Sequence, residues 1–327
     1  MMLIPAPVDS LRFLRPDKNH VRMRQASMDR LMKLEPFMTQ LPPDPATEAQ
    51  YRISESLRPE ELQSGLERYA QLSEEARRHC LVYEDLVFDA RSGCSLDLFP
   101  AREGAPLLLF IHGGYWRMFS RRESAFMARP FVERGIAVAT LDYQLAPAVT
   151  LDEIVRQVRA AGDWLMRGGP RYGVAADAIW VSGSSAGGHL AAMVCATDWP
   201  SGGRFRGLMP ISGLFDLRPI SHTFINEWLR LDDRAAERLS PLLIPPPECP
   251  VHIFWGELEP DVFKRQSINY ADYLRDRGVS VSMTEIAGRN HFDVALELSD
   301  PASSLARRFL DIMLADDAPP TSSVRGS

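Results

Sequence analysis

Short, mainly apolar runs alternate with amphipathic stretches along this chain, and that alternation restricts the fold more than any other feature. Leu107–Ile111, Ile136–Leu141, Ala178–Val181, Leu208–Ile211 and Val251–Trp255 are such runs. Runs this short read as strands buried on both faces. Leu81–Phe88 and Ser95–Phe99 read as an opening hairpin with Gly93 in its turn, and Val279–Ile286 as the last strand. Helices fill the intervals. Thr150 and Glu153 form a capping-box pattern, and Ile154, Val155, Val158, Trp164 and Leu165 then fall on one helical stripe. Pro59–Cys80, Gly187–Ala196, Phe263–Arg277 and Ser303–Leu314 also read as helical. The pattern predicts an α/β fold: a mostly parallel sheet of eight strands, helices on both faces, and a ligand site at the carboxyl ends of the strands.

The chain has 327 residues, enough for one α/β domain with insertions. Residues 1–48, punctuated by Pro5, Pro7, Pro16, Pro36, Pro42, Pro43 and Pro45, read as an N-terminal extension. Within it, 21–38 suits a helix whose Met28, Leu31, Met32 and Leu34 would pack on the domain, on a second subunit in a homo-oligomer, or over the site. The main domain is expected over 49–315. A lid-like insertion is expected at about 213–246, which carries Phe215, Phe224, Trp228 and Leu229. The polar tail 316–327 reads as disordered.

A net charge of −6 argues against a nucleic-acid partner, which needs a basic face. No run is long enough to span a bilayer, and the apolar start Met1–Pro7 is too short and proline-broken for a secretory segment. Cys80, Cys94, Cys195 and Cys249 form no C-x-x-C pair, so free thiols in a cytoplasmic protein are expected. No metal-ligand pattern and no dinucleotide or phosphate-loop pattern is present, and no metal or cofactor is expected. The expected partner is a small-molecule substrate.

Two glycine motifs carry the chemistry. Gly183-Ser184-Ser185-Ala186-Gly187 fits G-x-S-x-G, the strand-to-helix turn that exposes a nucleophilic serine. Ser185 is centred between the glycines, which Ser182 and Ser184 are not. A hydroxyl attacks only when a base takes its proton and a third group orients that base; in this order of elements the sequence runs serine, acid, histidine. His291 is the one histidine after the carboxylates Glu257, Glu259 and Asp261 that follow the seventh strand. The acid is Glu259 by its spacing from Gly256, with Asp261 as the alternative. The other motif, His112-Gly113-Gly114-Tyr115-Trp116, follows the third strand. Its backbone N–H groups at Gly113, Gly114 and Tyr115, with that of Ala186, suit an oxyanion hole; losing one such donor costs roughly 3–4 kcal/mol. Tyr115, Trp116, Ser184 and Trp228 are candidate substrate-binding residues.

Over about 49–314 the chain resembles the kynurenine formamidase (arylformamidase) branch of the α/β-hydrolases. The resemblance is carried by Phe110–Arg117, Ser185–Leu190, Ile211–Leu217, Phe263–Ser267 and Asn290–Asp293. It puts Ser185, Glu259 and His291 on the triad positions. Two positions depart from the family pattern: Ser184, where histidine is common, and Glu259, where aspartate is usual. The resemblance implies an α/β-hydrolase fold and cofactor-free hydrolysis of an N-formyl arylamine such as N-formylkynurenine. A carboxylesterase or other amidase, or an inactive hydrolase fold used for binding, are the alternatives.

Overall fold

The structure is a computed structural model and describes residues 45–56, 58–197, 199 and 203–315. The expected helix over 21–38 and the tail 316–327 lie outside these residues. In chain order the elements are α1 (Pro45–Tyr51), α2 (Pro59–His79), β1 (Tyr83–Asp89), β2 (Cys94–Phe99), β3 (Ala105–Ile111), α3 (Ala128–Val132), β4 (Ala137–Leu141) and α4 (Leu151–Gly168). Then follow β5 (Val174–Ser184), α5 (Ala186–Cys195), β6 (Gly207–Ile211), α6 (Asn226–Leu229), α7 (Asp233–Arg238), β7 (Val251–Gly256), α8 (Asp261–Arg275), β8 (Val281–Ile286) and α9 (Ser304–Ala315).

All eight expected strands are present, in one sheet ordered β1-β2-β4-β3-β5-β6-β7-β8. The β1–β2 and β2–β4 pairs are antiparallel, and the remaining pairs, from β4–β3 through β7–β8, are parallel. Gly93 turns the hairpin at a φ of +74°, a conformation that costs a side chain-bearing residue energy and glycine almost none. β5 is longer than its apolar run suggests: it starts at Val174, and only its second half is continuously buried.

Strand geometry divides the core. Leu107, Leu109 and Ile111 of β3 point into one apolar cluster, shared with α4, α5 and α8. Leu108 and Phe110 point into the other, shared with Phe131 of α3 and Phe309 of α9. Alternate residues of a strand face opposite sides, so a continuous apolar strand must be covered twice. α4 buries the stripe Leu151, Ile154, Val155, Val158 and Leu165, as its period requires. Trp164 stays half-buried beside Tyr172. The Thr150 hydroxyl accepts from the Glu153 N–H at 3.3 Å, while the Glu153 carboxylate turns to Arg156, so half of the expected capping box forms.

The segment 213–246 is built from short helices rather than a separate layer. Leu214, Phe215, Leu217 and Ile220 are fully buried in the same cluster as α5 and α8. Phe224 and Trp228 from this segment reach the cavity above the carboxyl ends of the strands.

Candidate active site

The turn after β5 is strained, and its neighbours are packed too tightly to let it relax. Ser185 sits at φ 57°, ψ −120°, outside the ordinary regions for a residue with a side chain. A Cβ on Gly183 would lie 2.4 Å from the Gly187 carbonyl oxygen, and one on Gly187 would lie 2.0 Å from that of Ile111. Both positions therefore require glycine. The turn is pinned by the Ser185 N–H, which donates to Ile211 O at 2.9 Å, and by Ser185 O, which accepts from His189 N–H at 3.2 Å. Ser182 is excluded as a rival nucleophile because its hydroxyl is buried and donates to Met209 O at 2.6 Å.

The loop after β3 lies directly against this turn. A Cβ on Gly113 would come within 2.7 Å of Ser184 O, so the backbone approaches the serine as closely as it can. Gly114, Tyr115, Trp116 and Phe119 all have positive φ. Three of these carry side chains, at a cost of about 1–2 kcal/mol each, and other contacts must hold the shape. Tyr143 Oη donates to His112 O and Gly113 O at 3.0 and 3.2 Å, Ala146 N–H to Trp116 O at 2.8 Å, and Trp228 Nε1 to Tyr115 O at 3.0 Å. Among the described residues the N–H groups of Gly113 and Gly114 donate to no protein acceptor. The N–H of Ala186 belongs to the first turn of α5, where helical backbone donors have no internal partner. These donors are therefore free to face an anion beside Ser185.

Glu259 and His291 meet across the loops after β7 and β8. His291 Nδ1 lies 2.9 Å from Glu259 Oε2, with both side chains buried. The other carboxylate oxygen accepts from Gly256 N–H at 2.7 Å and from the Ser212 hydroxyl. A carboxylate only accepts, so Nδ1 carries the imidazole proton and Nε2 presents its lone pair. That Nε2 is buried with no hydrogen-bond partner among the described residues, and His291 and Ser185 line the same cavity. Phe263 packs against the imidazole with ring centroids 4.2 Å apart and the two planes tilted by 45°. Asp261 stands apart from this pair: it is exposed at the first position of α8.

The cavity has a volume of about 640 Å³, and its wall includes the aromatic rings of Tyr51, Tyr69, Phe119, Phe126, Phe224 and Trp228. Tyr115, Ser184 and Trp228, three of the substrate-binding candidates, line it. Trp116 does not. It is fully buried behind the loop, where its Nε1 donates to His189 Nδ1 at 3.2 Å, and His189 Nε2 bonds Leu239 O at 2.8 Å. The expectation that Trp116 walls the pocket is thereby corrected: its positive φ turns the indole inward, where it anchors the loop to α5.

Burial sets the ionisation around the loop. His112 is held neutral because burial lowers its pKa, and its ring stacks on Tyr143 at 4.2 Å. Burial also pushes Tyr51 up to about 12 and Tyr115 well above the ordinary range, so both stay protonated donors. Tyr115 Oη donates to Tyr51 O at 2.6 Å and so ties α1 to the cavity wall. Sequence reasoning missed three contributors: Ser212, Phe263 and the α1 segment. Ser212 and Phe263 stood in segments already noted for their resemblance, but nothing in a local pattern says that a serine after β6 reaches a glutamate after β7. Among the described residues no group of three or more His, Cys, Asp or Glu side chains comes together to hold a metal, and no helix is long and apolar enough to cross a membrane.

A mostly parallel sheet with its serine turn after β5, and with the histidine–glutamate pair beyond β7 and β8, is the arrangement of the α/β-hydrolases. A solved structure of a putative thioesterase from Silicibacter sp. TM1040 superposes with a TM-score of 0.69 at 27% identity, covering 79% of this chain and 97% of that one. The BD-FAE family model matches residues 96–200. Kynurenine formamidase from Danio rerio is 30% identical over 264 residues, 77% of this chain and 86% of that protein. Kynurenine formamidase from Salmo salar is 32% identical over 218 residues, 64% of this chain and 73% of that protein. The chain belongs to the kynurenine formamidase family, and with it to the hydrolases.

Proposed function

We propose that this protein is a serine hydrolase that removes the formyl group from N-formyl arylamines, N-formylkynurenine being the type substrate. Ser185 is the nucleophile, His291 the base and Glu259 the acid. His291 Nε2 takes the Ser185 hydroxyl proton as Oγ attacks the formyl carbon. The developing oxyanion accepts hydrogen bonds from Ala186 N–H and the N–H groups of the 113–115 loop. The imidazolium then gives its proton to the departing arylamine nitrogen, which leaves a formyl ester on Ser185. Water attacks that ester in the reverse sense, releasing formate and restoring the serine. Glu259 keeps the imidazole in the working tautomer and stabilises its cation.

The observation that carries this reading is the buried Glu259–His291 pair, whose Nε2 has no partner among the described residues, at a cavity that His291 and Ser185 both line. The aromatic walls favour an arylamine leaving group, and the relatives named kynurenine formamidase agree with the formyl substrate. A second reading, a carboxylesterase of the same mechanism, is favoured by the size of the cavity, which exceeds what a formyl group needs. Turnover of N-formylkynurenine against short p-nitrophenyl esters separates the two. A higher kcat/KM on the formamide is expected. Brisk ester cleavage without deformylation would transfer the function to the esterases.

A further inference from the structure

Among the described residues the cavity lining holds one cation without a carboxylate partner. Two arginines line it, Arg52 and Arg117. Arg52 is neutralised: it lies 3.0 Å from Glu48 and 3.9 Å from Glu55. Arg117 has no carboxylate partner among the described residues. Its guanidinium instead rests over the Trp228 indole, 4.8 Å from the ring centroid. The indole itself is held by its Nε1 bond to Tyr115 O at 3.0 Å, so the cation has a fixed platform. A guanidinium held over a ring by cation–π attraction still has its fork of N–H donors to offer a planar anion. The Arg117 N–H also donates to Gly114 O at 3.0 Å, so the cation stands on the same short loop as the proposed oxyanion donors.

We propose that Arg117 is a specificity residue that binds a carboxylate on the substrate's leaving group, and that the site selects formyl arylamines bearing an anionic side chain over neutral ones. The inference rests on the deformylase reading above. An aryl ring between the aromatic walls, with its formamide at Ser185, leaves the far end of the molecule at the mouth, where Arg117 stands. A carboxylate there gains a charge-assisted, two-point contact, and a neutral group gains none. The other charged side chains lining the mouth, Glu55 and Glu123, are occupied in part by Arg52 and by the Ser120 hydroxyl, respectively.

The test compares N-formylkynurenine with its carboxylate-free counterpart, 2-formamidoacetophenone, on the intact protein. The readout is the ratio of their kcat/KM values. Arg117→Gln is expected to lower that ratio about tenfold, mainly through the KM of the carboxylate substrate, and Arg117→Lys to lower it less. Rising salt should erode the wild-type ratio and leave that of Arg117→Gln nearly flat. A ratio unchanged in Arg117→Gln, whether both substrates fall together or neither does, overturns the inference while leaving the deformylase reading in place. A wild-type protein that turns over neither formamide overturns that reading and this inference with it.

Discussion

Replacing Glu259 by glutamine tests the site at the point where one proton decides the outcome. The native carboxylate receives three donors: His291 Nδ1–H at 2.9 Å, Gly256 N–H at 2.7 Å and the Ser212 hydroxyl. A glutamine of the same shape has one oxygen and one NH2 to offer. With its NH2 toward Gly256, two donors would face each other in a buried site, at a cost of about 1–3 kcal/mol. The favoured orientation keeps the oxygen on Gly256 and Ser212 and turns the NH2 toward His291. Nδ1 must then accept, so the imidazole proton moves to Nε2, the nitrogen that receives the serine proton in the proposed mechanism. A triad locked in that tautomer loses about 10⁴-fold in kcat, close to 5.5 kcal/mol of barrier. The assay is steady-state kcat on N-formylkynurenine and on p-nitrophenyl acetate, with a thermal melt to show that the fold survives. Asp261→Asn, at an exposed position, should stay within about twofold of wild type. A Glu259→Gln enzyme within tenfold of wild type, or an Asp261→Asn enzyme that loses more, would refute the reasoning.

Two further outcomes follow from the buried Trp116–His189 contact. Trp116→Phe removes the donor to His189 Nδ1 and leaves a buried acceptor unsatisfied, at about 1–3 kcal/mol, so the melting temperature should drop by several degrees. KM should change by less than about threefold, since Trp116 does not line the cavity; a large KM change with an unchanged melt would return it to the pocket wall. His189 accepts at Nδ1 and is neutral, and burial lowers its pKa from 6.5 to about 4. The unfolded chain therefore binds a proton that the folded protein refuses, and stability falls as pH drops from 6.5 towards 4, by up to about 3 kcal/mol. Denaturant melts of wild type and His189→Gln across that range should show a shallower slope in the variant. Equal slopes would remove His189 as the cause.

What the sequence made legible is what local rules enforce. Each of the five short apolar runs is a strand because a strand covered on both faces can carry little else, whereas β1 and β8, at the sheet edges, keep exposed or half-buried positions. Ser185 stood out because only glycine fits at 183 and 187, where a methyl group would collide with backbone. Glu259 could be preferred over Asp261 by spacing because the turn after β7 closes on Gly256. Trp116 was misread because an indole beside a site looks the same in sequence whether it points in or out; the direction was set by a left-handed backbone at 115, 116 and 119. Ser212 was invisible as a partner of Glu259 because the two are brought together by the β6–β7 pairing, across 47 residues of chain. Arg117 was read only as part of a motif, since its lack of a carboxylate partner among the described residues is a property of the folded surroundings.

The role of Ser185 can be measured most directly by active-site labelling with a fluorophosphonate, followed by peptide mapping, alongside deformylation of N-formylkynurenine. The label should fall on Ser185 and abolish deformylation in proportion to occupancy, and Ser185→Ala should take no label and show no turnover above background. A label on another residue, or deformylation that survives Ser185→Ala, would contradict a serine mechanism at this site.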